Sequence, residues 1–144
     1  MDDYIEIQKL WYDNELAQLA IVCSSPIITA ATKIYVTEAL IDDLIHQIRQ
    51  FLSGRVVESY WANEEKGDYS TPCVSLHFLP KDKLGHILIE VYMELDDGGN
   101  YSDHNCCFFL NTEIGLLEKF CEGLPRLKQK TSKIRIVLND NREI

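Results

Sequence analysis

The sequence has few basic residues for its length, and this shortage excludes several classes of function. Lys and Arg number 14 in 144 residues against 23 Asp and Glu, which gives a formal net charge of -9 at pH 7. Binding to DNA or RNA irrespective of base sequence needs positive charge opposite the phosphates. We therefore expect no nucleic-acid partner, and the acidic balance favours a basic protein partner instead.

The few basic residues are concentrated towards the end of the sequence. Residues 1–125 carry a formal charge of -13 and residues 126–144 carry +4, which together give the net -9. We interpret the basic segment as a solvated helix end followed by an edge strand, rather than as an arm that binds nucleic acid.

Long apolar runs are also missing. A helix that crosses a bilayer needs about 20 apolar residues, and the apolar runs here have the length of single strands. A secretory signal begins with positive charge, whereas Asp2 and Asp3 follow Met1. We therefore expect a cytoplasmic protein without a membrane partner. With 46% hydrophobic and 26% charged residues, the 144 residues suit one globular domain, 1–144.

No motif of a familiar active site occurs. The sequence has no Walker loop, no Gly-x-Gly-x-x-Gly, no Gly-x-Ser-x-Gly and no His-Glu-x-x-His. The five cysteines form no Cys-x-x-Cys pair, so we interpret them as free, buried thiols. We expect no catalytic residues, no metal and no cofactor. An enzyme that works through acidic side chains is the alternative, since acids are plentiful.

Hydrophobic periodicity predicts two helices among many strands. Apolar residues at helical spacing predict a helix over Leu40–Leu52, with Thr37 as its N-cap and Ser53-Gly54 at its end. A second helix is expected after Thr112, which we expect to cap it. Most other segments alternate as strands joined by short turns, which favour antiparallel pairs. The predicted class is α+β: a two-layer sandwich, mainly an antiparallel sheet of about six to seven strands, with two helices packed on one face.

The sheet face away from the helices is expected to be polar and rich in aromatic residues. We predict a partner-binding surface there, because tyrosine is frequent in binding hot spots and acids attract a basic partner. Alternatively, these side chains form an ordinary sheet face stabilised by cross-strand pairs. Lys33 shares this predicted face with the candidate binding residues, which are Tyr35, Glu58, Tyr60, His77, Glu90, Tyr92 and Glu94.

Several segments resemble the pattern of a small bacterial family. They are the run Trp11-Tyr12-Asp13-Asn14-Glu15-Leu16 before a strand, the helix Leu40–Leu52 ending at Ser-Gly, the strand Gly85-His86-Ile87-Leu88-Ile89-Glu90-Val91, the loop Asp96-Asp97-Gly98-Gly99-Asn100, and Thr112-Glu113-x-x-Leu116-Leu117. This pattern is similar to that of the immunity proteins of cell-wall-associated, contact-dependent toxins and their uncharacterised relatives.

The resemblance implies a non-enzymatic protein that binds and neutralises a cognate toxin domain, often a nuclease, in the cytoplasm. It carries over no catalytic residue. The long polar loop Asn63–Pro72 departs from the tight form of the family and leaves the position of the interface open. The alternative is an α+β ligand- or protein-binding domain with no toxin partner. A homodimer through the open sheet face or a free strand edge is also compatible with the sequence.

Overall fold

The computed structural model describes residues 3–67, 71–96, 98, 103–131 and 133–139. These residues form eight strands, two α helices and one 3-10 helix. The strands are β1 (Tyr4–Tyr12), β2 (Ala17–Ser24), β3 (Thr29–Val36), β4 (Ser59–Ala62), β5 (Val74–Pro80), β6 (His86–Glu94), β7 (Asn105–Glu113) and β8 (Arg135–Leu138). The helices are α1 (Glu38–Leu52) and α2 (Ile114–Gly123), and the 3-10 helix covers Leu124–Lys128.

The first sheet has the order β3-β2-β1-β8, and all of its pairs are antiparallel. Alternate residues of β3, from Ala30 to Val36, are buried, as period-two patterning predicts. The turn between β1 and β2 is held by Asp13, whose carboxylate accepts hydrogen bonds from the amides of Glu15 at 2.7 Å and Leu16 at 2.8 Å. These two bonds lower the pKa of Asp13, because they stabilise the ionised form.

Helix α1 connects the two sheets and confirms the clearest sequence prediction. The hydroxyl of Thr37 accepts a hydrogen bond from the amide of Leu40 at 3.2 Å, so Thr37 is the N-cap. Ser53 is the C-cap, and Gly54 follows at φ +77°, a left-handed conformation that glycine adopts readily. One stripe of the helix faces the core; it consists of Ile41, Leu44, Ile45 and Ile48.

The second sheet has the order β4-β5-β6-β7 and is also antiparallel throughout. Most of its inward residues are apolar, although Ser59 and Thr112 are also buried there, and most of its outward residues are polar or aromatic. The turn between β5 and β6 is organised by Asp82, whose carboxylate accepts from the amide of Leu84 at 2.7 Å and contacts the ring of His86 at 2.6 Å. This short connection fixes the register of β5 and β6.

The two sheets and the helices share one hydrophobic core. Helix α1 contacts β3 of the first sheet and β4 of the second, and α2 contacts β7 and β8. Trp61 on β4 donates its indole N–H to the carbonyl of Leu40 at 2.9 Å, which joins the second sheet to the start of α1. The helices therefore connect the sheets instead of covering one face of a single sheet.

The α+β class and the antiparallel pairing are confirmed, but the number and division of the strands differ from the expectation. The described residues form eight strands in two sheets of four, whereas the sequence predicted one sheet of about six to seven. The division arises because β8 pairs with β1 and because α1 separates β3 from β4. Thr112 was also misassigned as a cap. It belongs to β7, and its hydroxyl donates to Asn139 at 2.7 Å, while Glu113 is the N-cap residue of α2.

Candidate functional site

The outward side of the second sheet presents acids beside exposed aromatic rings. We call this surface the carboxylate–aromatic face and define it by six residues: Glu58, Tyr60, His77, Glu90, Cys107 and Phe109. Strand pairing places four of them in one row, because Tyr60 lies opposite His77, His77 opposite Glu90, and Glu90 opposite Phe109. Their sequence neighbours Trp61, Leu76, Phe78, Ile89, Val91, Phe108 and Leu110 point inward and are buried.

His77 lies between two carboxylates at the centre of the face. Its Nε2 is 3.1 Å from an oxygen of Glu58, and its Nδ1 is 3.4 Å from an oxygen of Glu90. Both ring nitrogens can donate to these oxygens when the imidazole is protonated. The side chains of Glu58 and Glu90 remain 57% and 38% exposed. His77 therefore lies within contact distance of both acids, and both acids remain at the surface.

Exposed aromatic rings flank the acids on both sides. Tyr60 is 50% exposed and Phe109 is 47% exposed, large fractions for aromatic side chains on a sheet. The rings of Tyr60 and His77 meet edge to face, with centroids 6.0 Å apart. Cys107 donates its thiol to the second oxygen of Glu90 at 3.5 Å. The face thus combines apolar area with fixed negative charge, a combination that suits a protein interface.

Four of the seven residues predicted from the sequence lie on this face: Glu58, Tyr60, His77 and Glu90. Cys107 and Phe109 were missed, because the returning strand was not placed in register with its neighbour. Their signal was the alternation of that strand: Phe108 and Leu110 are buried, and Cys107 and Phe109 are exposed. Once Phe109 is paired with Glu90, its outward direction follows.

Tyr35 and Lys33 lie elsewhere, so the prediction of one shared face is wrong for them. Both belong to β3, at the edge of the first sheet. Tyr35 is 42% exposed and accepts a hydrogen bond from the side-chain amide of Gln18 at 3.4 Å. Helix α1 causes the separation, because the chain changes sheets between β3 and β4.

Glu94 lies four residues after Glu90 on β6, so the two side chains point to the same side of the sheet. Glu94 is nevertheless fully buried, at 0% exposure. Gly67 and Cys73, which lie between β4 and β5, contact it. Its carboxylate accepts from the amides of Gly67 at 2.9 Å and Cys73 at 3.0 Å, and from the hydroxyl of Tyr92 at 2.8 Å. Glu94 therefore anchors this connection and presents no atom at the surface for a partner to contact.

Tyr92 lies at the rim of the face. Its ring is half-buried, with the ammonium nitrogen of Lys66 at 4.4 Å from its centroid. Burial, followed by the hydrogen bond to Glu94 and the charge of that carboxylate, raises the pKa of the Tyr92 phenol. Burial is also the first cause that raises the pKa of the Cys73 thiol, to about 11. Tyr92 and Cys73 thus remain neutral beside Glu94.

Lys9 is the other ionisable side chain with an unusual environment. It is 2% exposed, and its ammonium nitrogen donates to the carbonyls of Leu127, at 3.1 Å, and Gln129. The ring of Tyr12 lies 4.7 Å from the same nitrogen. Burial lowers the pKa of Lys9. These contacts attach the 3-10 helix to β1 and identify Lys9 as a structural residue.

The described residues contain no group of three or more His, Cys, Asp or Glu side chains placed to hold a metal ion. The five cysteines are free: Cys23, Cys73 and Cys121 are buried, whereas Cys106 is half-buried and Cys107 is exposed, contrary to the expectation that all would be buried. Of the acidic loop after β6, Asp97, Gly99 and Asn100 lie outside the described residues. Neither described helix has the length and apolar character needed to span a membrane.

Comparisons with known proteins identify no relative. No family model, no curated protein and no solved structure matches this chain.

Proposed function

We propose that this protein is a non-enzymatic binding protein of the immunity type, and that its carboxylate–aromatic face binds a basic protein. The partner that fits the proposal is a cognate toxin domain, such as a nuclease, whose substrate site is cationic. Binding would cover that site and block access of the toxin's substrate. The proposal assigns no catalytic residue.

The observation that carries the proposal is the arrangement of Glu58, His77 and Glu90 beside the exposed rings of Tyr60 and Phe109. The contacts with His77, at 3.1 and 3.4 Å, restrict the two carboxylates before a partner arrives. Binding then orders fewer side chains, and this reduces the entropic cost of association. The flanking rings supply apolar contact area of the kind that dominates binding energy at interfaces.

The charge of the whole chain supports the same conclusion. Residues 1–125 carry -13, so a basic partner is attracted over a distance before contact. Such steering accelerates association, and salt weakens it. A basic nuclease domain has the opposite charge because it must bind phosphates.

Capture from a lysate of the host organism tests the proposal. The wild-type protein is compared with the double variant Glu58→Lys/Glu90→Lys and with the matched control Glu118→Lys/Glu122→Lys, which reverses two exposed acids on α2. Captures are run at about 0.1 M and about 0.5 M salt, because screening weakens long-range attraction but leaves a packed interface. We expect one basic protein to be retained by the wild type and the control, and lost from the Glu58/Glu90 variant.

Two results would contradict the proposal. In one, no basic protein is retained by the wild type at either salt concentration. In the other, the Glu58/Glu90 variant and the α2 control retain the same protein equally well, which would show that the carboxylate–aromatic face is not the interface.

A groove elsewhere on the surface favours a second candidate, a small-ligand-binding domain with no toxin partner. The groove has a volume of about 370 Å³ and lies where the end of α1 meets the β5–β6 turn and the start of α2. Its lining is largely apolar, and it includes Phe51, Val56, Val57, Ile87 and Ile114. This volume lies within the usual range of ligand sites. Native mass spectrometry of the purified protein would detect a retained small molecule and so distinguish this candidate.

A further inference from the structure

Within the described residues, strand β8 has no strand partner at its outer edge. It forms the end of the first sheet, and β1 is its strand neighbour. At the edge of the second sheet, by contrast, Asn111 of β7 is capped: its amide donates to the carboxylate of Asp3 at 2.9 Å, and its carbonyl accepts from Asn139 at 2.8 Å. Among the described residues, no comparable cap bonds to the outer edge of β8. An uncapped edge offers N–H and C=O groups to another strand.

A groove of about 320 Å³ lies between this edge and α2. On the β8 side it touches Arg135, Ile136 and Val137, three successive residues. Successive side chains of a strand point to opposite faces, so a groove that reaches all three runs along the edge. Gly123 lies against this strand, and a Cβ at its position would be 3.4 Å from Cγ2 of Ile136, an ordinary van der Waals distance. A groove between a strand edge and a helix is a common place for an extended peptide to bind.

The groove is positively charged, although the protein as a whole is acidic. Lys119, Arg126 and Arg135 line it. Arg135 is paired with Glu6, from its Nε to a carboxylate oxygen at 2.8 Å. Within the described part of the chain, Lys119 and Arg126 form no ion pair. Lys119 and Arg126, which form no ion pair within the described residues, lie beside this strand edge and are complementary to an acidic peptide.

We infer that this groove binds an extended acidic segment of a partner protein, which adds to β8 as a fifth strand of the first sheet. The backbone of the segment pairs with the outer edge of β8, and its acidic side chains contact Lys119 and Arg126. This site lies on the first sheet, whereas the carboxylate–aromatic face lies on the second, and the two surfaces have opposite charges. It therefore does not depend on the function proposed above.

A short synthetic peptide provides the test. The probe has eight residues that alternate Glu and Val, with an acetylated start and an amidated end, and binding is measured by fluorescence anisotropy. A second probe alternates Lys and Val. The third and fourth probes are N-methylated forms of the acidic peptide. One carries the methyl groups on its odd-numbered residues and the other on its even-numbered residues, so each probe can no longer donate hydrogen bonds from one of its two edges.

We expect the acidic probe to bind at least tenfold more tightly than the Lys-Val probe. N-methylation of one edge should weaken binding at least tenfold, and N-methylation of the other edge should leave it within twofold. The double variant Lys119→Glu/Arg126→Glu should also bind the acidic probe at least tenfold more weakly than the wild type does. The matched variant Lys33→Glu/Arg55→Glu, which reverses two exposed charges outside the groove, should bind the probe as the wild type does. NMR amide shifts should appear at Arg135–Leu138.

Three results would overturn the inference. The first is equal affinity for the acidic and Lys-Val probes, or no binding of either. The second is binding that both N-methylated peptides retain, which would indicate electrostatic attraction without strand pairing. The third is self-association of the protein through β8 without peptide, which would assign the edge to a second copy of the chain.

Discussion

Replacing Glu94 by glutamine should destabilise the protein, although the two side chains have almost the same shape. Glu94 is 0% exposed and accepts three hydrogen bonds. One oxygen accepts from Gly67 at 2.9 Å and Tyr92 at 2.8 Å, and the other accepts from Cys73 at 3.0 Å. A glutamine oxygen can replace the first oxygen, but its NH₂ group would then face the N–H of Cys73.

The magnitude follows from the donor that loses its acceptor. A buried donor left without an acceptor costs about 1–3 kcal/mol. The two retained bonds also weaken, since bonds to an ionised acceptor are roughly twice as strong as neutral ones. Burying a neutral group in place of a charge offsets part of this loss. We expect a net loss of about 2 kcal/mol in the free energy of unfolding, which for a chain of this size lowers Tm by about 4–8 °C.

Urea denaturation followed by circular dichroism measures the difference between Glu94→Gln and the wild type. Glu90→Gln is the matched control. Glu90 lies on the same strand and points to the same side of the sheet, but it is exposed. The substitution should therefore change the free energy of unfolding by no more than about 0.5 kcal/mol. Tyr92→Phe should cost about 1 kcal/mol in the wild type and less in the Glu94→Gln background, because the charged acceptor is gone. A loss below about 0.5 kcal/mol for Glu94→Gln would refute the reasoning.

Two further predictions concern ionisable side chains away from Glu94. Burial lowers the pKa of Lys9 below its ordinary 10.5, so the folded state releases this proton at a lower pH than the unfolded state. The contribution of Lys9 to the free energy of unfolding should therefore rise as the pH rises towards 10.5. We expect the wild type to become more stable relative to Lys9→Met over this pH range. Parallel curves of unfolding free energy against pH for the two proteins would contradict this expectation. Exposed Cys107 should react with iodoacetamide before the four other thiols, as peptide mass spectrometry would show. Burial first, and then the hydrogen bond to Glu90 and its charge, raises the pKa of Cys107, so Glu90→Gln should accelerate its alkylation; an unchanged rate would argue against that contact.

The sequence predicted the elements whose determinants are local. Helix α1 begins after Thr37 and ends at Ser53-Gly54, as expected, because capping depends on a few neighbouring residues. The alternation of β6 likewise gave the correct inward and outward directions for Ile89 and Glu90. Such signals lie within one turn or one strand, so a single sequence is enough to find them.

Two features could not be predicted in the same way: the sheet to which each strand belongs, and the burial of an outward-pointing side chain under a loop. The pairing of β1 with β8 joins segments from the two ends of the described chain, and no periodicity within either segment specifies that contact. Tyr35 was therefore placed on the wrong sheet. Glu94 was expected on the surface because its parity is outward, yet hydrogen bonds from Gly67 and Cys73 bury it. That cover comes from a loop, whose path hydrophobic patterning does not determine.

The most direct test of the central claim is the association rate of the captured partner at low salt. The Glu58→Lys/Glu90→Lys variant and the Glu118→Lys/Glu122→Lys control change the net charge equally, so overall attraction is matched between them. If the carboxylate–aromatic face is the interface, the first variant should associate at least tenfold more slowly than the control at about 0.05 M salt, because charges close to the contact steer the encounter most strongly. Equal association rates for the two variants would contradict the claim.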